Sequence, residues 1–183
     1  MLFGSVLEYV KTKPTAMKKL IVSISLALVL VAGQSMAQNR PMHEIHAMMV
    51  YNFTKYIQWP ETSGEFVIGI IGDDEIYQTL SSWYSGKVKG QRKFKIVQIK
   101  NASEIKSTDI LYVAKTSSKD FDTIKAKVDD QKTLIITDKN GLGDRGSNIN
   151  FKMVNNRLTF ELNKASIEAS YLKVSAQLMS MAI

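Results

Sequence analysis

The sequence predicts an α/β fold: a mostly parallel sheet with helices on both faces, closed by an antiparallel C-terminal hairpin and a terminal helix. Three observations lead to this prediction. Short apolar runs alternate with segments of helical periodicity between residues 43 and 137, which is the order expected of a parallel sheet with crossover helices. Two further short runs with strand character flank an Asn-Asn pair. Asparagine tolerates the left-handed backbone of a tight turn, so these two runs predict an antiparallel hairpin. A last segment of helical periodicity follows the hairpin.

The first half of the fold begins with a helix. Apolar residues recur at helical spacing over 43–57, and Trp59-Pro60 ends this helix because the residue before proline is disfavoured in the α region. The continuous apolar run FVIGII at Phe66–Ile71 predicts a strand that is covered on both faces. Asp73 then stands where the N-cap of a helix through about Tyr84 is expected.

The second half supplies three more strands and the hairpin. Strands are predicted at 93–100, 110–114 and 133–137, with a short segment at 102–106. Ser117 or Ser118 is predicted to cap a helix that runs to about residue 130. The hairpin strands are expected at 148–153 and 157–162, and Asn163 is expected to cap a final helix over 164–182.

The final helix is predicted to be apolar on two opposite faces. At about 100° per residue, the larger apolar side chains share one face: Ile167, Tyr171, Val174, Leu178 and Met181. The opposite face is rich in alanine and consists of Ala165, Ala169, Leu172, Ala176 and Met179. A helix that is apolar on two faces must be covered twice. The alanine-rich face is therefore predicted to pack on the first helix of the same chain or on a second copy in a homodimer.

Residues 17–37 predict a cleavable secretory signal peptide. Lys18 and Lys19 precede a 13-residue apolar run, and Ser35-Met36-Ala37 supplies the small residues of a cleavage point. As a helix the run spans about 20 Å, less than the roughly 30 Å hydrocarbon core of a membrane, although an uncleaved anchor is the alternative. Residues 1–16 carry no export signal, so we expect translation to start at Met17. The predicted organisation is a leader and signal over 1–37 and one domain over 38–183.

Composition narrows the class of protein. Removal of residues 1–37 takes away four lysines and one glutamate and leaves a net charge of +4 on 146 residues, against +7 for the whole chain. No block of five or six basic residues remains, so we expect no nucleic-acid partner. The chain has no cysteine, which excludes disulfides, thiolate metal sites, a cysteine nucleophile and a lipid-bearing cysteine. We therefore expect a soluble periplasmic domain rather than a membrane-anchored one.

Motifs that suggest catalysis or cofactor binding have simpler explanations. The segment GLGDRG at 141–146 spells G-x-G-x-x-G, but it runs into a strand, whereas dinucleotide binding needs a helix after the loop. His43 and His46 share a helix face, but no further histidine or cysteine exists to complete a zinc site, which would require a carboxylate. No G-x-S-x-G elbow occurs. We predict no catalytic residue, no cofactor, no metal site and no enzymatic activity.

One edge of the predicted sheet is suited to a small ligand. Polar residues follow three of the strands, and they include Asp73, Asp74, Ser117 and Asn140. Ligands of open α/β sheets usually bind at the carboxyl ends of the strands. A periplasmic small-ligand-binding protein that uses this edge is therefore the alternative function, and its basis is topological rather than chemical.

A series of motifs occurs in order along the mature region: YNFTKYIQWP at 51–60, IGIIGDD at 68–74, GQR at 90–92, DILYV at 109–113, INF at 149–151 and RLTFELN at 157–163. Together they resemble the YfiR-like family of periplasmic regulators. The resemblance implies a non-catalytic protein that binds the periplasmic sensing part of an inner-membrane diguanylate cyclase in a cyclic-di-GMP pathway, or of a histidine kinase, and restrains it. It also implies a homodimer, and the lack of cysteine excludes the disulfide-based tuning of some relatives.

Two charged residues lie within these motifs, each in or beside a predicted strand. They are Arg92 and Glu161. Because burying either charge alone is unfavourable, we predict that the two form a structural ion pair. Such a pair would fix the second strand relative to the closing hairpin.

Overall fold

The structure is a computed structural model that describes residues 40–60, 63–129 and 131–183. The predicted leader and signal peptide over 1–37 lie outside these described residues. Within them, no helix is both long enough and apolar enough to cross a membrane.

The chain alternates helices and strands in the predicted order. Its elements are α1 (Met42–Tyr56), β1 (Ile57–Gln58), β2 (Phe66–Ile71), α2 (Asp74–Tyr84), β3 (Val88–Lys89), β4 (Arg92–Ile99), β5 (Ile110–Val113), α3 (Phe121–Ala126), β6 (Leu134–Thr137), β7 (Ile149–Val154), β8 (Arg157–Leu162), α4 (Lys164–Ala169), β9 (Lys173–Val174) and α5 (Ala176–Met181). Short 3₁₀ segments occur at Ala102–Glu104 and Lys115–Asp120. The helix predicted to begin after Ser117 or Ser118 and to run to about residue 130 is wrong in its extent, because residues 115–120 form a 3₁₀ segment and the α-helix covers only Phe121–Ala126.

Seven strands form the main sheet in the order β3-β4-β2-β5-β6-β7-β8. The five inner strands run parallel. The edge strands β3 and β8 pair antiparallel with their neighbours. The predicted fold class, including the closing hairpin, is therefore confirmed.

Helices cover both faces of this sheet, which gives it two apolar cores. Successive side chains of a strand point to opposite faces. On one face, the buried side chains of Val50 and Phe53 from α1 and Leu80 from α2 pack against the strands. On the other face, Phe121 and Ile124 of α3 fill the core. Helices thus lie on both sides of the sheet, as predicted.

Local sequence signals fix two of the connections. The Asp73 carboxylate accepts a hydrogen bond from the Ile76 amide at 2.9 Å, which confirms the predicted N-cap of α2. Asn155 and Asn156 have φ values of 49° and 60°, as a tight hairpin turn between β7 and β8 requires.

The predicted helix over 164–182 is wrong in its extent. Asn163 caps α4 as expected, but Tyr171 adopts φ 58°, and the Leu172 amide donates back to the Ile167 carbonyl at 3.2 Å. A left-handed residue of this kind ends a helix. Residues 173–174 then form β9, which pairs antiparallel with β1, before α5 begins. The pairing with β1 provides backbone hydrogen bonds that helical periodicity does not reveal.

The break also removes the predicted continuous alanine-rich face. Leu172 is 2% exposed and belongs to the core, whereas Ala165, Ala169, Ala176 and Met179 are exposed. On the bulky face, Ile167 and Leu178 are buried but Tyr171 and Met181 are not. The predicted packing of the terminal helix on the first helix of the same chain is seen only for its last part, because α5 lies against α1. A seam with a second copy stays a prediction.

Gly72 is expected to be intolerant of substitution because it combines backbone strain with close packing. Its φ is +87°, and a Cβ would lie 2.6 Å from Thr116 Oγ1 and closer still to Ser117 Oγ. Gly141 has a similar φ of +84° but nothing near its Cβ position. Gly141→Ala should lower the free energy of unfolding by about 1 kcal/mol through strain alone, and Gly72→Ala by more than about 2 kcal/mol. Urea denaturation measures both losses, and equal losses would contradict the packing argument.

Candidate functional site: a basic groove at the amino end of the sheet

A groove of about 1040 Å³ opens at the amino ends of β2 and β4. We call it the amino-end groove, and it is lined by residues 55–60, 63, 66, 89–92 and 173–175. Its walls are the end of α1 with β1 and the following residues, the β3–β4 turn, and β9. The groove lies at the end of the sheet opposite to the predicted ligand edge.

The pairing of β1 with β9 builds one wall of this groove. Ile57 lies opposite Val174, and the Ser175 amide donates to the Tyr56 carbonyl at 2.9 Å. The helix break at Tyr171 is what allows residues 173–175 to extend along β1. A continuous terminal helix would leave this wall unbuilt.

Asp109, directly before β5, holds two lining residues in place. Its carboxylate accepts two hydrogen bonds from Arg92, one from Nη1 and one from Nη2, each at 2.7 Å, and a third from the Val67 amide at 2.8 Å. Its backbone carbonyl accepts from Trp59 Nε1 at 3.0 Å. The Arg92 and Asp109 side chains are only 16% and 13% exposed. Bidentate pairing of this kind fixes both orientation and position.

The predicted ion pair between Arg92 and Glu161 is therefore wrong. Glu161 pairs instead with Lys152 on the neighbouring strand β7 and accepts from Asn150 Nδ2 at 3.1 Å. Hydrogen bonds from these two side chains lower the pKa of Glu161. Four strands lie between β4 and β8. The five spacings between neighbouring strands, at about 4.8 Å each, place β4 and β8 roughly 24 Å apart. Sequence reasoning missed Asp109, although it opens the DILYV motif.

The amino-end groove carries an excess of positive charge. Its lining cations are Lys55, Lys89, Arg92 and Lys173, and its described lining includes no carboxylate. The Lys89 ammonium lies 5.2 Å from the centre of the Trp59 ring and donates to the Thr54 carbonyl. Burial lowers the pKa of Lys89, the Arg92 charge lowers it further, and Asp109 acts in the opposite direction.

The residues of the predicted ligand edge have separate environments. Asp73 caps α2, and Asp74 accepts from Gln98 Nε2 at 2.5 Å. Asn140 is exposed in the turn after β6. Of the four predicted residues, only Ser117 lines the cleft of about 330 Å³ at this end of the sheet. Ligand binding at the carboxyl edge stays a prediction.

The two histidines diverge rather than form a pair. His43 Nδ1 lies 3.2 Å from the Glu75 carboxylate. His46 is 7% exposed, stacks on Phe151 at 4.6 Å, and its Nδ1 lies 3.0 Å from the Tyr112 hydroxyl. No group of three or more histidine, cysteine, aspartate or glutamate side chains that could hold a metal ion occurs in the described ranges.

His46 belongs to a buried polar cluster that sequence reasoning missed. Burial lowers the pKa of His46 to about 4. Burial also raises the pKa of Tyr112 and that of Asp138, and the nearby Asp138 carboxylate raises the pKa of Tyr112 further. The cluster links α1 to the carboxyl ends of β5 and β6 inside the core. Its members lie far apart in sequence, so only the folded topology brings them together.

The structure thus describes a small α/β domain with an open, basic groove at the amino end of its sheet. The chain belongs to the YfiR/HmsC-like family, whose profile matches residues 43–183. That family is known for periplasmic regulators rather than for enzymes. Three of the sequence motifs that resemble this family meet at the groove. Residues 51–60 and 90–92 contribute lining residues, and Asp109, from the third motif, holds the lining residues Trp59 and Arg92 in place.

Comparison with solved structures agrees on the fold. A conserved domain protein from Vibrio cholerae O1 biovar eltor is similar, with a TM-score of 0.53 and 10% sequence identity over 77% of this chain. The match covers 59% of that protein's chain, so the present chain spans about three fifths of its length. No curated protein matches the sequence significantly.

Proposed function

We propose that this protein is a non-catalytic periplasmic regulator. It binds the periplasmic sensing part of an inner-membrane signalling protein, a diguanylate cyclase or a histidine kinase, and restrains it. The observation that carries this proposal is that three of the sequence motifs on which the family resemblance is based converge on one open groove. The signal peptide predicted at 17–37 supports the periplasmic location.

Restraint requires the regulator to prefer one conformation of its partner. A protein that binds two conformations with different affinity shifts their populations by the difference in binding free energy. The Arg92–Asp109–Trp59 network gives the amino-end groove a fixed shape, which favours such discrimination. We expect the regulator to act as a homodimer, for which Ala165, Ala169, Ala176 and Met179 offer exposed surface.

Site-specific photocrosslinking in the native host tests this proposal. Gln91 is exposed in the β3–β4 turn at the rim of the groove, and Lys119 is exposed at the opposite end of the sheet. We expect a photoreactive phenylalanine analogue at position 91 to capture an inner-membrane protein with a periplasmic part. The same substitution at position 119 should not. Capture from position 119 alone, or no membrane protein captured from position 91, would contradict the proposal.

A further inference from the structure

The charge of the amino-end groove is unbalanced. The charge of Arg92 is matched by Asp109. Glu65, next to the groove lining, pairs with Lys95 at 2.8 Å. Of the other lining cations, Lys55 Nζ donates to the neutral Asn52 amide oxygen and Lys89 Nζ to a backbone carbonyl. Three lysines therefore give the groove positive charge that its described lining does not neutralise.

Lys89 is the cation best placed to receive an anion. Its ammonium has three donors, and one is directed to the Thr54 carbonyl. The rings of Trp59 and Phe66 lie 5.2 and 5.8 Å from it and shield it from part of the solvent. A partly desolvated ammonium interacts more strongly with a carboxylate than a fully hydrated one does. Burial and the neighbouring Arg92 charge lower the pKa of Lys89 by more than Asp109 raises it, so Asp109 does not fully compensate this cation.

The size and shape of the groove favour a chain segment over a compact ligand. Its volume of about 1040 Å³ lies just above the roughly 300–1,000 Å³ of small-molecule pockets. Two of its walls are pairs of strands, β1 with β9 and β3 with β4, and strands suit the binding of an extended backbone. A flat lipid surface fits less well, because Lys89 is half-buried and Trp59 is only 8% exposed.

We propose that the amino-end groove recognises an extended acidic segment of the membrane protein's periplasmic part. One carboxylate pairs with Lys89 beside Trp59, and flanking carboxylates approach Lys55 and Lys173. This inference rests on the proposed function and adds the chemistry of the partner. Electrostatic complementarity of this kind contributes specificity and a fast association rate.

Fluorescence anisotropy with defined peptides tests the inference. The probes are a fluorescein-labelled peptide Glu-Asp-Leu-Glu-Asp-Leu and its Gln-Asn-Leu-Gln-Asn-Leu counterpart. We expect the purified protein to bind only the acidic peptide, and less tightly as salt is raised. Lys89→Gln and Lys173→Gln should each weaken binding by about fivefold. Lys93→Gln, an exposed β4 position outside the groove lining, should leave it unchanged.

Several outcomes would overturn the inference. They are equal binding of the two peptides, absence of binding, or equal effects of Lys89→Gln, Lys173→Gln and Lys93→Gln. Binding of phosphatidylglycerol vesicles that is lost in Lys89→Gln would assign the groove to a membrane surface instead. Lys173→Gln changes an exposed side chain and keeps the test valid if Lys89→Gln fails to fold. Crosslinking of a membrane protein from position 91 together with failed peptide binding would leave the proposed function standing and remove only this inference.

Discussion

Replacement of Asp109 by asparagine should lower the free energy of unfolding by about 3 kcal/mol. The substitution leaves the largely buried Arg92 guanidinium without its carboxylate, and an uncompensated buried charge is strongly destabilising. Chemical denaturation with urea, monitored by circular dichroism, measures the loss. We also expect weaker crosslinking from position 91, because Arg92 loses the carboxylate that fixes it in the groove.

Two further variants test whether the loss of stability is specific to the buried Arg92–Asp109 pair or follows the removal of any paired charge. Glu161→Gln removes a carboxylate whose partner Lys152 is 37% exposed, and it should lower the free energy of unfolding by less than about 1 kcal/mol. The double variant Arg92→Met/Asp109→Leu should be more stable than Asp109→Asn, since it leaves no unpaired charge. Losses of equal size for Asp109→Asn and Glu161→Gln would contradict a structural role for the Arg92–Asp109 pair.

The contribution of His46 to the free energy of unfolding should also fall by about 2 kcal/mol between pH 7 and pH 5. His46 has a pKa of about 4 in the folded protein, against about 6.5 in an unfolded chain. Above pH 6.5 the imidazole is mostly neutral in both states. As the pH falls towards 4, only the unfolded state gains the proton, so the folded state loses relative stability. Below pH 4 both states are protonated and the loss from this group stops.

Urea denaturation at a series of pH values measures this dependence. His46→Gln has no titratable group at position 46, so the loss of stability caused by His46 should be absent in this variant. Asp138 acts in the opposite direction: burial raises its pKa, so the folded state holds its proton at higher pH and gains stability as the pH falls. Asp138→Asn should therefore steepen the loss. An unchanged pH profile in His46→Gln would show that other groups cause it.

Features encoded in a few neighbouring residues could be predicted from the sequence. The apolar run at Phe66–Ile71 forms β2 with the predicted bounds. A strand that is buried on both faces can be identified from its own continuous apolar sequence, without knowledge of the strands beside it. The cap at Asp73 and the turn at Asn155 likewise depend on local backbone preferences.

Features that depend on distant partners could not be predicted. Helical spacing continues through residues 164–182, yet β1 draws residues 173–174 into a strand. The partner of Arg92 is Asp109 because β2 lies between β4 and β5, an order that the sequence does not display. Because ligands of open α/β sheets usually bind at the carboxyl ends of the strands, the sequence predicted a ligand site at that edge. The amino-end groove instead arises where two-residue strands and a turn meet.

The antiparallel pairing of β1 with β9 has a consequence for the synthesis and folding of the protein. Ile57 is among the first residues of the domain to emerge during synthesis, and Val174 is among the last. A half-made chain therefore lacks one side of the surface that would contact a membrane protein. The proposed recognition would therefore begin only once nearly the whole domain has been synthesised and folded, so unfinished copies would not act on a partner.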